Sequence, residues 1–241
     1  MTDQALQNAL NSIAREFSDL ADYDYISARV SFRLNLREQF YWSGLQAIEK
    51  YFKAILLFNG QSSLRLNHQL KLAYERIIQN TGIRLALQQS QLVFLGTLEE
   101  FGNNRYRTSY TRILGDELPK LDQLIWTIRH YAHSTRFEID GVDKSEWYLQ
   151  NLLPPNAADA PTANQISDGE LEKILARESG DLLRQELVWC NCYYGKPENA
   201  TLPPRRHSSS HIPVYEREWF TKGKNEGGKG LREMVKKYVK L

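Results

Sequence analysis

The stretch from Tyr41 to Phe58, YWSGLQAIEKYFKAILLF, is apolar around nearly its whole circumference, and it constrains the fold more than any other part of the chain. Wound at 100° per residue, Tyr41, Leu45, Ile48, Phe52, Ile55 and Leu56 cluster on one side, and Ala47, Tyr51, Ala54 and Phe58 flank them. Gln46, Lys50 and Lys53 mark a narrow polar edge. A helix of this kind needs neighbours on most of its sides, so the other elements must be arranged around it. Gly60 supplies the stop, because glycine enters the left-handed conformation past a helix end without a Cβ penalty.

The flanking sequence supplies those neighbours. Residues 4–19 predict an amphipathic helix with Leu6, Ala9, Leu10, Ile13 and Phe17 on its apolar face, and a second helix follows from about Asp22 to a break near Asn35. Further helices are predicted over 67–79, with Leu70, Ala73, Tyr74 and Ile77 inward, and over 84–101, with Leu85, Leu92, Leu95 and Leu98 inward. The last, over 116–131, opens with Asp116, Glu117 and Pro119, which suit the first turn, and turns Leu121, Leu124, Ile125 and Ile128 to the core. No strand-period pattern of any length precedes residue 135. Helices joined by short links imply an all-α fold, an antiparallel up-and-down helical bundle over residues 1–150.

Several segments of this region, in order, carry a resemblance. Asp24-Tyr25-Ile26-Ser27-Ala28-Arg29, Gln46-Ala47-Ile48-Glu49-Lys50 with Lys53-Ala54, Asn59-Gly60, Asn67-His68-Gln69-Leu70 and Asn104-Arg105-Tyr106-Arg107 together resemble the signature of the HEPN domain, a helical bundle named for nucleotide binding. The resemblance spans roughly residues 20–133. It implies an HEPN-like bundle, a nucleotide or single-stranded RNA as ligand, and a homodimer packed through bundle helices.

The chain has 241 residues, 41% of them hydrophobic, enough for a sizeable core and one to two domains. Its longest unbroken apolar run, Ala54 to Phe58, is far short of a bilayer span, and the first residues lack both a basic and an apolar targeting region. The expectation is a cytoplasmic protein with no membrane partner. Residues 151–168, rich in proline and alanine, read as a linker, and 169–241 as a loop-rich C-terminal extension with one or two helices and a basic tail. Ser167 and Glu170 have capping-box spacing, with Leu171, Ile174, Leu175, Leu182 and Leu183 on one face beyond them. Net charge is +2, but from Arg205 onward ten Lys/Arg face four Asp/Glu, which leaves +6 on that tail and −4 on the rest. Such a tail attracts phosphates and other anionic surfaces.

Three groups of residues could carry chemistry. Lys50 and Lys53 present ammonium groups beside Gln46, and His68 and Arg105 follow on neighbouring segments; charge-assisted contacts of this type suit a phosphate. Tyr106 and Tyr110, interleaved with Arg105, Arg107 and Arg112, make a stacking platform for a single strand. Cys190, Cys192, His207 and His211 are spaced as Cys-x-Cys, fourteen residues, His-x3-His, close to a two-cysteine, two-histidine zinc arrangement except for the tight first pair. No other cofactor is expected, and phosphate-loop, dinucleotide, nucleophile-elbow and His-Glu-x-x-His motifs are absent.

Many HEPN proteins are metal-independent ribonucleases that share an Arg-x4-6-His motif. This chain departs from it: Arg105 is followed five residues later by Tyr110, and Arg129-His130-Tyr131-Ala132-His133 has only three intervening residues. The sequence therefore favours a non-catalytic nucleotide- or RNA-binding module. Its alternatives are a ribonuclease of toxin or defence type using Arg129 with His130 or His133, and a dimeric scaffold whose basic last helix holds an acidic partner.

Overall fold

A computed structural model describes residues 3–103, 116–133, 138–139, 142–143, 166 and 169–195. The chain divides into two units, Met1–Leu202 and Pro203–Leu241, and all the described residues belong to the first. The fold is a helical bundle: α1 (Asp3–Arg33), α2 (Arg37–Phe58), α3 (Leu70–Asn80), α4 (Gln89–Gly102), α5 (Glu117–Ala132), α6 (Glu170–Leu175) and α7 (Leu182–Val188). The only extended pairing among the described residues is a two-residue antiparallel ladder, β1 (Glu138–Ile139) with β2 (Val142–Asp143), registering Glu138 with Asp143. No helix among the described residues is long and apolar enough to cross a membrane.

The central helix is α2, which touches α1, α3, α4 and α5. Leu45, Ile48, Phe52, Ile55 and Leu56 are fully buried, as are Ala47, Tyr51 and Ala54 on the flanks. Its end is a Schellman motif: Gly60 stands at φ +66°, its N–H donates to the Leu57 carbonyl, and the Gln61 N–H donates to that of Leu56.

The first two expected helices are one. Nothing between Asp19 and Asp22 breaks a helix, and Ala14, Ser18, Ala21, Tyr25, Ala28 and Phe32, all fully buried, form a single seam at spacings of four and three. That seam differs from the expected apolar face. Leu10 and Phe17 are half-buried, whereas Leu6 and Ile13 stay exposed, and the small residues Ala14, Ser18 and Ala21 are buried in their place, Ser18 Oγ donating to the Ala132 carbonyl at the end of α5. Only three residues join the two helices, so they run antiparallel.

Three boundaries also differ. Helix α3 starts at Leu70 and not at Asn67, since Asn67 and His68 hold left-handed backbone, φ 45° and 63°. Helix α4 starts at Gln89, after Gln88 and Gln91 form a reciprocal capping box. The helix expected after residue 167 becomes two, α6 and α7, and the N-cap of α6 is Gly169; Ser167 and all of the 151–168 linker except the buried Ile166 lie outside the described residues. Leu171 and Ile174 are buried as expected, but Leu182 is 75% exposed.

Residues 169–195 pack directly on the bundle. Helices α6 and α7 both touch α1, and two buried arginines, Arg29 of α1 and Arg129 of α5, reach into this segment.

Candidate nucleotide-binding face

The polar edge of α2 meets α1 on one side and the turn before α3 on the other. Lys50 Nζ pairs with Asp24 Oδ2 of α1, and the two side chains are 23% and 26% exposed. Lys53 Nζ lies 2.7 Å from Glu49 Oε1 and 5.7 Å from the centre of the Phe17 ring. The other oxygen of Glu49 lies 2.6 Å from His68 Nδ1. Burial pushes the Glu49 carboxyl up, but hydrogen bonds from Lys53 and His68 overcome it and hold it below the usual carboxylate range.

The turn carrying His68 is unusual backbone. Arg65, Asn67 and His68 all have φ between 45° and 63°, and non-glycine residues there cost on the order of 1 kcal/mol each. The turn persists because its neighbours determine it. Arg76 Nη1 donates to the carbonyls of Ser62 and Leu64, at 3.2 and 3.0 Å, Leu66 is buried, and the Gln69 N–H closes onto the Leu66 carbonyl. His68 is thereby laid edge-on to Trp42, ring centres 5.2 Å apart, with the Gln46 end group 3.2 Å from its Nδ1.

The structure thus joins Lys53 and His68 through Glu49, with Gln46 on the His68 ring and Lys50 one turn away on Asp24. Trp42 and Asp24 belong to this face although neither was singled out as a site residue from the sequence; Trp42 is four residues before Gln46, a spacing too common to point to it, and Asp24 comes from another helix, 26 residues before Lys50. Arg105, Tyr106, Arg107 and Tyr110 lie outside the described residues.

The Arg129–His133 segment has a different environment. Arg129 is 1% exposed and its five N–H groups are all taken: Nε and Nη2 donate to the two oxygens of Asp22, each at 2.7 Å, Nη1 and Nη2 donate to the two oxygens of Glu172 at 2.7 and 2.6 Å, and Nη1 also reaches Tyr194 Oη at 3.3 Å. Tyr51 Oη and the Leu171 N–H complete the shell of Asp22. His130 Nδ1 lies 2.6 Å from the Trp126 carbonyl in the core. Burial, reinforced by Arg129 and opposed by Asp22, pushes the His133 imidazole down to about 3, and its Nε2 is enclosed with no hydrogen-bond partner among the described residues.

A parallel cluster surrounds Arg29, which is fully buried. It pairs with Asp122 and donates to the carbonyls of Glu186 and Trp189 at the end of α7, so a cation caps that helix where the dipole favours one. Tyr25 Oη donates to Asp122 Oδ1 at 2.7 Å and accepts from Asn191 Nδ2 at 2.9 Å. Asn191 Oδ1 then accepts the N–H groups of Tyr193 and Tyr194.

Of the four expected zinc ligands, Cys190 is buried and Cys192 half-buried, neither is in a disulfide, and burial pushes both thiols up. His207 and His211 lie outside the described residues. Among the described residues no group of three or more His, Cys, Asp or Glu side chains is placed to hold a metal ion.

No protein-family model, no curated protein and no solved structure matches this chain.

Proposed function

We propose that this chain is an HEPN-like module that binds a nucleotide or single-stranded RNA without cleaving it, on the face formed by the polar edge of α2 and the 65–68 turn. The observation that carries the reading is the meeting of two lysines with an aromatic pair: Lys50 and Lys53 lie on successive turns of the helix that also holds Trp42, and His68 packs on Trp42. Ammonium groups suit a phosphate, and aromatic rings suit a base or sugar. The lysines' present partners are no obstacle. A partly exposed pair such as Lys50–Asp24 is worth about 0–1 kcal/mol, so a dianionic phosphate displaces it at small cost. Arg105, Tyr106, Arg107 and Tyr110 extend the same reading along the sequence, and the cytoplasm is the compartment in which such a module meets its ligands.

Against the ribonuclease alternative stands the environment of Arg129. A guanidinium already carrying two carboxylates has no donor left for a phosphate, and a neutral His133 with its Nε2 enclosed is poorly placed to exchange protons with a ribose hydroxyl.

The test is binding of labelled single-stranded RNA at low and high salt, without added metal, by the wild-type chain and by Lys50→Ala with Lys53→Ala. The reading expects salt-sensitive binding with intact RNA and at least about a tenfold loss in the double variant, with a melting temperature within a few degrees of wild type. Wild-type affinity in a folded double variant removes it.

A homodimer, the second part of the reading, rests on α1. Leu6, Ile13 and Leu20, spaced by seven, are 47%, 46% and 45% exposed and form a straight apolar stripe. Its spacing is symmetric about Ile13, as a twofold pairing of two copies requires.

A further inference from the structure

We propose that residues 169–195 are a strap that opens from the bundle as one unit while α1 to α5 stay folded, a two-state device built on the seam that α6 and α7 make with α1 and α5. It stands independently of the nucleotide reading.

The strap holds itself together. Helices of six and seven residues are too short to stand alone, but α6 and α7 touch each other, and Arg184 Nε of α7 donates to the Leu175 carbonyl at the end of α6, at 2.9 Å. Beyond α7, the fully buried Asn191 accepts the N–H groups of Tyr193 and Tyr194 at 3.0 and 3.3 Å, and the Gly195 N–H closes onto its carbonyl at 2.8 Å. Both ends are pinned to the bundle: Glu172 sits on Arg129, and Asn191 Nδ2 donates to Tyr25 Oη at 2.9 Å. Letting go at one end therefore strains the other.

Departure of the strap leaves no charge of the bundle stranded. Arg29 keeps Asp122, and Arg129 keeps both oxygens of Asp22; each pair is made by α1 and α5 alone. The strap adds outer partners, the Glu186 and Trp189 carbonyls on Arg29 and the Glu172 carboxylate on Arg129. Breaking a buried ion pair is costly because one member stays behind uncompensated, and here both members stay.

The closed seam is also incompletely satisfied. Three enclosed side-chain atoms on it, Asp122 Oδ2, Trp126 Nε1 and Glu186 Oε2, have no hydrogen-bond partner among the described residues. Asp122 meets Arg29 and Tyr25 only through its other oxygen, the Trp126 ring is stacked on Tyr193 with centres 5.1 Å apart, and Glu186 belongs to α7 itself. Burial outweighs Arg29 and pushes the Asp122 carboxyl up. Opening hydrates all three atoms, which offsets the exposure of Leu171, Ile174 and Leu187. Closed and open states thus approach each other in free energy, as a switching element requires. The opened strap stays tethered to α5 through residues 134–168, and it bares Trp126 and the two Arg–Asp pairs.

The experiment is native-state amide hydrogen exchange on the full-length chain, followed residue by residue in wild type, Glu172→Gln and Ile77→Val. Ile77 is fully buried on α3, which packs on α2 and α4, so its shortening weakens the bundle equally with the strap closed or open. Glu172→Gln is expected to speed exchange in α6 and α7 alike, by about tenfold, although it alters α6 alone. Ile77→Val is expected to speed α2 by about fivefold and to leave both strap helices at the wild-type rate. A response to Glu172→Gln confined to α6 overturns the single unit, and a strap that follows α2 in Ile77→Val overturns the separate opening. Wild type carries the same test should a variant not fold. The two strap helices are expected to share one opening constant with a urea dependence well below that of α2, and exchange of the strap only at the α2 opening constant overturns the proposal.

Discussion

Arg129 and Glu172, separated by 43 residues in sequence, meet as a two-point guanidinium–carboxylate pair, Nη1 to Oε1 at 2.7 Å and Nη2 to Oε2 at 2.6 Å, and tie α6 to α5. The same guanidinium is forked onto Asp22 of α1, so three helices converge on one buried cation. Removing the cation leaves two carboxylates facing each other without a counter-charge. Arg129→Ala is expected to cost about 3–5 kcal/mol, whereas Glu172→Gln, which keeps Asp22 on Arg129, costs about 1–3 kcal/mol. Urea unfolding followed by circular dichroism measures both, and equal losses would show that Asp22 does not depend on Arg129.

Gly169 has no room for a side chain. A Cβ there would run into Glu172 Oε2 and Arg129 Nη2, the same pair just described. Its φ of −69° suits any residue, so alanine meets no backbone objection. Gly169→Ala is therefore expected to act through the ion pair alone, costing about 1–3 kcal/mol. The double variant with Glu172→Ala separates the two explanations: a penalty much smaller in the absence of Glu172 identifies the clash, and an undiminished one excludes it.

Acid should loosen the fold through His133. Its imidazole stands at about 3 in the folded chain against 6.5 unfolded, so between those values the unfolded state binds more protons. Stability contributed by the neutral ring is complete above 6.5 and is lost as pH falls toward 3, at up to about 1.4 kcal/mol per unit. Asp22, held below its usual range because Arg129 outweighs its burial, adds a loss that begins only below its unfolded value of 3.8. Urea midpoints from pH 7 down to about pH 4 for wild type and His133→Gln should diverge, the variant showing the flatter decline. Parallel profiles would mean that the ring is reached by solvent.

The central helix and its stop were legible because α2 carries its own pattern: the apolar circumference, the polar edge and Gly60 are all local. The seam of α1 was harder. Leu6 and Ile13 are larger and more apolar than Ala14, Ser18 and Ala21, yet the small residues are the buried ones, since close approach of packed helices favours them and a periodicity count does not. The buried clusters were not legible at all. Arg29 and Arg129 stand on helices where any arginine looks like a surface residue, and their partners Asp122, Glu186, Asp22 and Glu172 are 93, 157, 107 and 43 residues away. At the candidate site, Lys53 and Glu49 share a helical spacing that shows in the sequence, while the left-handed turn that brings His68 to them has no glycine to announce it.

The stripe of Leu6, Ile13 and Leu20 gives the dimer proposal a sharp test. These side chains lie on the outer face of α1, away from the Ala14–Phe32 seam, so changing one does not disturb the core. In a twofold pair centred on Ile13, Leu6 of one copy faces Leu20 of the other and Ile13 faces itself. A charge at the centre then meets its own copy, and like charges brought together out of water repel strongly. Ile13→Glu is expected to convert a dimer into a folded monomer, with a helical spectrum and a unimolecular unfolding free energy within about 0.5 kcal/mol of the wild-type monomer's. Light scattering coupled to gel filtration reads the mass directly. A wild-type monomer at high concentration removes the dimer, and a dimer that survives Ile13→Glu moves its interface off α1.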